Sequence, residues 1–275
     1  MSRDAAAVTS TVTSADGTTI VVETVGSGPA LVLVDGALCS LEFGPARDVA
    51  AQLAGHFTVH LYDRRGRGGS GDTLPYAVER EVDDLAAVIA AAGADVFVMG
   101  QSSGASLALE AAAAGVPMRG LAVYEAPYVG VIPVRGRTPD YLADLQGLLA
   151  QDKRGAMVDY FMVRMVGGPA FLPVMMRLMP KVWRQLKAVA PTLLNDTRIL
   201  GDFEVHPERL GAVRVPTLVM GGSKAKPNMM KAAEDVAAAV TGRPPVILAG
   251  QTHNVSPAVL VPELIAFFQG LERKL

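Results

Sequence analysis

The chain has 275 residues, 50% of them hydrophobic, and its 25 basic and 27 acidic side chains leave a formal charge of −2. This balance provides no global field that attracts nucleic acid or an anionic membrane, so a small neutral ligand is the expected partner. The single cysteine, Cys39, excludes an internal disulfide and a multi-cysteine metal site, as is typical of proteins in a reducing cytosol. Met1 to Ser10 contains no apolar leader pattern and no run of 18 purely apolar residues occurs, so we expect a cytoplasmic protein without a membrane span.

The first half of the chain alternates strand patterns with helix patterns. Two β-branched runs, 9–13 and 18–25, flank Asp16-Gly17, a pair typical of a hairpin turn. Further strand patterns cover 30–34, 58–62, 96–100 and 121–124, and helix patterns cover 43–54, 78–92 and the residues after Ser102. Such alternation predicts an α/β fold with a mostly parallel sheet and helices on both of its faces.

The alternation stops from Tyr128 to about Leu210. This stretch has no bounded strand pattern and carries six methionines between Met157 and Met179, among helix-forming residues and prolines. We interpret 128–210 as an inserted helical cap on a core formed by 1–127 and 211–275. Strand patterns at 216–220 and 245–248, with helix patterns at 228–240 and 257–271, then complete an eight-stranded sheet.

The most informative segment is Gly100-Gln101-Ser102-Ser103-Gly104, which lies between a short apolar strand pattern and a helix-forming run. Glycines two residues before and after a serine permit a sharp strand-to-helix turn, because a missing Cβ lets two backbones pass closely. The turn exposes the hydroxyl of Ser102. Chance alone produces this pattern in roughly one such chain in ten, but the flanking strand and helix patterns favour the turn.

A serine hydroxyl becomes a good nucleophile only when a base takes its proton. The chain has four histidines, which are His56, His60, His206 and His253. His253 follows the last predicted strand, at the carboxyl edge of the sheet where Ser102 is also expected and where open α/β sheets bind their ligands. We therefore predict that His253 is the base.

The acid that orients this histidine is predicted at Glu125. The more common place is the loop after the strand at 216–220, but residues 221–227 contain no carboxylate. Glu125 closes the strand at 121–124, where burial of a glutamate is costly unless a partner such as the His253 imidazolium compensates it. The open alternative is that Glu125 caps a neighbouring helix or pairs with an arginine.

An oxyanion formed by attack of Ser102 on a carbonyl needs two N–H donors aimed at it in advance. In this topology one donor is the backbone N–H of Ser103. The other comes from the loop 35–38, where Ala37 is favoured and Leu38 is the next candidate.

Taken together, these features resemble α/β-hydrolase-fold enzymes over nearly the whole chain. The likeness rests on the turn at Asp35-Gly36, the loop Tyr62–Gly71, the Gly-x-Ser-x-Gly turn and the final His253, which occur in the family's order. The resemblance implies a serine hydrolase with a helical cap. Asp35 replaces a histidine found in many members, and the usual acid position is empty. Some members, including certain haloalkane dehalogenases, take the acid from the end of the sixth strand, which is where Glu125 falls. A dehalogenase or an epoxide hydrolase is nevertheless not expected, because those enzymes use an aspartate as nucleophile where this chain has Ser102.

A narrower likeness is to the lactonases that open the macrolide ring of zearalenone. They are similar in the Asp-Gly turn, in the run Ser102–Ser106 and in a sixth-strand glutamate before a proline. The predicted substrate is therefore a small apolar ester or lactone. The six methionines between Met157 and Met179 have two open interpretations: they line a pocket for such a ligand, or they only pack the helices against the core. The side chains predicted to contact it are Leu38, Tyr128, Met157, Phe161 and Trp183.

No metal or organic cofactor is predicted, because no histidine–carboxylate cluster has ligand spacing. The arginine-rich loop Arg64–Gly71 is interpreted as a structural turn, since it lacks the Lys-Ser/Thr of a phosphate-binding loop. Cys39 is interpreted as a small packed residue.

The alternative function is a ligand sensor, a cyclase or a C–C bond hydrolase on the same scaffold.

Overall fold

A computed structural model describes residues 7–133 and 138–273 of the chain. The strands that it contains are β1 (Val8–Thr13), β2 (Thr19–Gly26), β3 (Ala30–Val34), β4 (Thr58–Tyr62), β5 (Phe97–Gln101), β6 (Gly120–Tyr124), β7 (Thr217–Gly222) and β8 (Val246–Leu248). Over the described residues they form one eight-stranded sheet in the order β1-β2-β4-β3-β5-β6-β7-β8. β2 is antiparallel to β1 and to β4, and the other neighbouring pairs are parallel.

The hairpin predicted at Asp16-Gly17 is confirmed, since β1 and β2 pair from Thr13↔Thr19 outward. The predicted bounds of β4 are also confirmed. β5 is shifted by one residue at both ends from the predicted run 96–100, and β6 begins one residue before the predicted 121–124. This accuracy follows from burial, because every residue of β6 is buried and such strands are continuous apolar runs.

Helices cover both faces of the sheet, as the alternation predicted. Those of the α/β part are α1 (Ala46–Leu53), α2 (Val78–Ala92), α3 (Ser103–Ala113), α10 (Pro227–Thr241) and α11 (Pro257–Glu272). Buried side chains of α2, α3 and α10 share one hydrophobic cluster, and those of α1 and α11 share the other. In the second cluster the ring of Phe97 stacks on Phe268 with centroids 4.7 Å apart.

Between β6 and β7, the regular secondary structure of the described residues is helical, and loops such as 125–133 and 202–206 connect the elements. Its helices are α4 (Tyr141–Ala150), α5 (Arg154–Tyr160), α6 (Leu172–Arg177), α7 (Pro180–Val189), α8 (Leu193–Leu200) and α9 (Pro207–Leu210), with a π-helical turn at Phe161–Met165 and a 3₁₀ turn at Ala190–Thr192. We call α4 to α9 with these turns the helical segment. Its division from the rest as a separate cap domain stays a prediction.

None of the helices in the described ranges combines the length and the apolar character that crossing a bilayer requires.

Candidate active site

Ser102 lies between β5 and α3 with a φ of +56°, in a region that side chains rarely adopt. The two flanking glycines allow this turn. A Cβ at Gly100 would lie 2.6 Å from the carbonyl oxygen of Gly104, and a Cβ at Gly104 would collide with the carbonyl oxygens of Val34 and Asp35. The obstructing atoms are backbone, which cannot move aside cheaply, so the close approach inferred from the sequence is present.

His253 lies between Ser102 and Glu125 and reaches both. Its Nε2 is 3.1 Å from Ser102 Oγ, and its Nδ1 is 2.7 Å from Glu125 Oε2. Glu125 is 1% exposed, whereas the imidazole is partly accessible. A base within hydrogen-bond reach of a hydroxyl, and itself oriented by a buried carboxylate, can take the hydroxyl proton and hold the resulting charge.

Glu125 reaches the histidine from the end of β6, where its φ is +48°. Its second oxygen, Oε1, accepts the backbone N–H of Gly222 at 2.8 Å, at the end of β7. A Cβ at Gly222 would lie 2.7 Å from the Tyr124 hydroxyl oxygen, so that position has no room for a side chain. The Tyr124 hydroxyl that occupies this space donates to the carbonyl oxygen of Thr252 at 2.6 Å and so holds the loop that carries His253.

Two backbone N–H groups are available beside Ser102. Within the described residues, neither the N–H of Ser103 nor that of Ala37 donates to another group. The turn after β3 approaches Ser102 closely, because a Cβ at Gly36 would lie 2.9 Å from Ser102 Cβ. The N–H of Leu38 also has no acceptor among the described residues. Both candidates in the turn after β3, Ala37 and Leu38, therefore have an N–H that is free to donate to an oxyanion.

A cavity of about 510 Å³ opens onto Ser102 and His253. It lies between the carboxyl edge of the sheet and the helical segment. Its apolar lining comes from Val129, Ile132, Phe161, Met162, Met165, Val166, Leu172, Leu193, Leu200, Phe203 and Met229. Charged side chains in the lining include Asp35, Lys224 and Lys226. Burial raises the pKa of Asp35 to about 7, although Arg67 and Arg64 partly oppose the shift.

In residues 7–133 and 138–273, no cluster of three or more His, Cys, Asp and Glu side chains is placed to hold a metal ion. Burial raises the pKa of Cys39, which lines the same cavity, far above its usual range. A thiol of that kind is a poor nucleophile at neutral pH.

Comparison with known proteins assigns the family. The sequence model of the Alpha/beta hydrolase family matches residues 31–265. The chain belongs to this family. An alpha/beta hydrolase from Sphaerobacter thermophilus is 47% identical, with a TM-score of 0.86, and the match covers 94% of this chain and 100% of that one.

Two further similarities are to proteins with named activities. A pimeloyl-[acyl-carrier protein] methyl ester esterase of Xanthomonas campestris is 41% identical over 106 residues, which are 38% of this chain and 40% of that protein. An esterase from Rhodococcus sp. ECU1013 has the same fold, with 21% identity and a TM-score of 0.68 over 96% of this chain and 99% of that one. The match thus spans about two fifths of the curated esterase's length, and the Rhodococcus structure shows the shared fold.

In this alpha/beta hydrolase, four of the five side chains predicted to contact substrate do not line the cavity, and Phe161 does. Leu38, in the left-handed region with φ +62°, packs in the core, as does the fully buried Met157. Tyr128 lines a separate cavity of about 220 Å³. Trp183 packs under the guanidinium of Arg177, 4.5 Å from its ring centroid. For Met157 and Trp183, helix rotation and tertiary packing decide these directions, because the local sequence does not specify which neighbour a helix face meets.

Sequence reasoning missed the contribution of the arginine-rich loop after β4. Arg64 and Arg67, each 1% exposed, extend toward the site and pair with Asp196 of α8 at 2.8 and 2.9 Å. A signal existed, because three arginines within four residues of an α/β hydrolase loop need carboxylates if they are buried. Nothing in the local sequence indicated that one partner lies about 130 residues away.

Proposed function

We propose that this alpha/beta hydrolase is a serine esterase or lactonase that acts on an apolar small molecule through an acyl-enzyme. The observation that carries the proposal is the continuous hydrogen-bond path from Ser102 through His253 to Glu125, with distances of 3.1 and 2.7 Å. Three side chains from distant parts of the chain meet in the order that nucleophilic catalysis requires.

In the proposed reaction, Ser102 Oγ bonds to the substrate carbonyl carbon while its proton passes to His253 Nε2. The N–H groups of Ser103 and Ala37 stabilise the resulting oxyanion. The C–O bond to the leaving alcohol breaks, and the alcohol takes the proton from His253. Water, activated by the same imidazole, then attacks the acyl-enzyme and releases the acid and the free serine. Glu125 stabilises the imidazolium in both halves.

The cavity supports an apolar ester or lactone as substrate. Its lining is mostly aliphatic, aromatic and methionine side chains, and its volume of about 510 Å³ suits a small organic molecule. We propose that the helical segment acts as a cap that selects the substrate, since Phe161, Met162 and Leu172 extend from it into the cavity. The methyl ester named for the Xanthomonas relative agrees with ester chemistry.

The test begins with a fluorophosphonate, which labels an activated serine without knowledge of the substrate. We expect labelling at Ser102, detected by intact mass and peptide mapping, and its loss in Ser102→Ala. A panel of p-nitrophenyl esters and of simple and macrocyclic lactones follows, with Ser102→Ala as the blank. An unlabelled wild-type protein would overturn the proposal.

A second outcome of the same panel identifies the alternative function. A chain that reacts with the fluorophosphonate but turns over no ester or lactone would be assigned to another reaction on this scaffold, such as C–C bond hydrolysis or cyclisation, or to ligand sensing. One relative is a Pseudomonas putida N-formylmaleamate deformylase, 36% identical over 110 residues and matched over 40% of its length. N-formyl compounds therefore join the panel.

A further inference from the structure

A buried ionic cluster lies beside the oxyanion turn, and the proposed reaction leaves it without a role. Arg67 donates from Nη2 to both carboxylate oxygens of Asp196, at 2.9 Å each. Its Nη1 donates to the carbonyl oxygen of Gly36 at 2.5 Å, and its Nε donates to Thr192 Oγ1 at 3.1 Å. One guanidinium therefore joins the oxyanion turn to the helical segment.

The Gly36 carbonyl and the Ala37 N–H belong to one planar peptide unit. Because a trans unit directs its C=O and its N–H in opposite directions, a group that fixes the carbonyl also fixes the direction of the N–H. A charged donor on the carbonyl also polarises the unit and strengthens the N–H as a donor. We propose, on the basis of the serine hydrolase mechanism above, that Arg67 is a positioning residue that aims the Ala37 N–H at the oxyanion and that Asp196 holds Arg67 in place.

Asp196 also reaches the other half of the oxyanion hole. Its Oδ1 accepts the Ser103 hydroxyl at 2.7 Å and Arg64 Nη1 at 2.8 Å. Burial raises the pKa of Asp196, but the Arg67 and Arg64 guanidinium groups outweigh this and hold it below the usual value, so the carboxylate stays ionised. Arg64 also pairs with Glu81 at 2.7 Å, which balances two cations with two anions. Asp196 therefore connects to both N–H donors: it binds the Ser103 side chain directly, and it binds the Gly36–Ala37 peptide through Arg67.

The same loop offers a matched control. Arg65, which is fully buried, donates from Nε and Nη2 to Asp84 at 2.6 and 2.7 Å and from Nη1 to Asp16 at 3.0 Å. None of these partners lines the cavity. Replacement of either arginine by lysine keeps the charge but loses the planar fork that serves several acceptors at once. Both variants should therefore lose stability, and the proposal assigns an effect on Ser102 reactivity to position 67 alone.

The experiment compares Arg67→Lys with Arg65→Lys, each at a temperature well below its melting point. The measured quantities are the maximal rate of fluorophosphonate labelling at Ser102 and the apparent binding constant of the probe, by intact mass. In labelling, Ser102 Oγ bonds to phosphorus as its proton passes to His253, the P–F bond breaks and fluoride leaves, and the phosphoryl oxygen occupies the oxyanion hole. We expect Arg67→Lys to lower the maximal rate ~10- to 100-fold with little change in probe binding. Arg65→Lys should stay within about twofold of wild type, because it shares no partner with the site.

Asp196→Asn is the second variant, in case Arg67→Lys does not fold. It keeps the shape and removes the charge that holds Arg67, and we expect a slower maximal rate in the same direction. An equal loss of rate in the Arg65 and Arg67 variants, or a wild-type rate in both Arg67→Lys and Asp196→Asn, would overturn the inference. Either result leaves the hydrolase proposal intact, because that proposal is decided by labelling and by ester or lactone turnover of the wild-type protein.

Discussion

The carboxyl edge of the sheet and the helical segment contribute to the same cavity by different means. At the edge, Ser102 and Glu125 have φ values of +56° and +48°, and backbone packed around glycines holds them there. In the helical segment, a side chain lines the cavity only if it lies on the face of its short helix that is turned toward the sheet. Apolar side chains such as Phe171, Val174 and Leu178 are 61%, 56% and 79% exposed there.

This difference shows where the molecule can change without losing its chemistry. Strained positions persist only where the surrounding structure over-determines them, so the edge tolerates few substitutions. The helical segment has exposed apolar residues and few steric constraints of that kind, so it can vary and alter the substrate. Asp196 is the exception, because it belongs to the segment and yet contacts Ser103 at the edge.

The largest expected effect tests the edge directly. His253→Ala removes the base, and loss of one member of a serine–histidine pair lowers kcat by up to ~10⁶-fold in comparable enzymes. We expect esterase activity to fall to background and the melting temperature to fall as well, because the buried Glu125 carboxylate loses its hydrogen bond to the imidazole, so activity is assayed well below the melting point. The control is His56→Ala, an exposed histidine outside the cavity, which should keep full activity.

The second expected effect tests the acid. Glu125→Gln keeps the shape and the contact with the Gly222 N–H but removes the charge that stabilises the imidazolium. The comparable change in a serine triad costs roughly 10⁴-fold in kcat, and we expect a loss of that order. Steady-state kinetics on the best ester of the panel measures it. A variant that keeps the wild-type kcat would remove Glu125 from the mechanism.

The third prediction contrasts the two regions by adding a single methyl group. In Gly104→Ala the new Cβ meets the carbonyl oxygens of Val34 and Asp35, so we expect a loss of stability of at least about 3 kcal/mol or no folded protein. Gly147→Ala, in α4, meets nothing within 4 Å and should stabilise the protein by up to about 1 kcal/mol. Urea unfolding of both variants gives the comparison, and equal tolerance would contradict the contrast.

The fourth prediction concerns substrate selection by the helical segment. Phe161→Ala enlarges the cavity, and loss of apolar contact should raise KM for apolar esters by about tenfold or more at little change in kcat. Trp183→Ala, in the same segment but away from the cavity, should leave KM unchanged. Similar changes in KM for the two variants would mean that the segment acts through its overall fold.

The smallest expected effect concerns the pH dependence of stability. Because burial raises the pKa of Asp35 to about 7 from an ordinary value of 3.8, the folded protein binds more protons than the unfolded chain between these values. Stability from this group therefore falls as pH rises from about 4 to about 7. Asp35→Asn should remove that slope and stabilise the protein at pH 8 by on the order of 1 kcal/mol, with no gain at pH 4. Asp48→Asn, an exposed substitution, should show no such difference.

The sequence predicted most about the site at the carboxyl edge of the sheet. Ser102, His253 and Glu125 were each predicted from a local pattern, namely glycine spacing, a position after the last strand, and a costly glutamate at a strand end. The structure brings these three side chains together, because parallel strands direct their carboxyl ends to one edge. Their catalytic roles remain proposals.

What the sequence by itself determined is the strand and helix alternation, the hairpin and the turn at Ser102, because hydrophobic period and missing Cβ atoms act over a few residues. Only the tertiary structure decided which side chains of the helical segment face the cavity and that Asp196 pairs with Arg67. Those outcomes depend on helix rotation and on contacts between residues more than one hundred positions apart. No local pattern encodes them, since a buried charge specifies that it needs a partner but not where in the chain the partner lies.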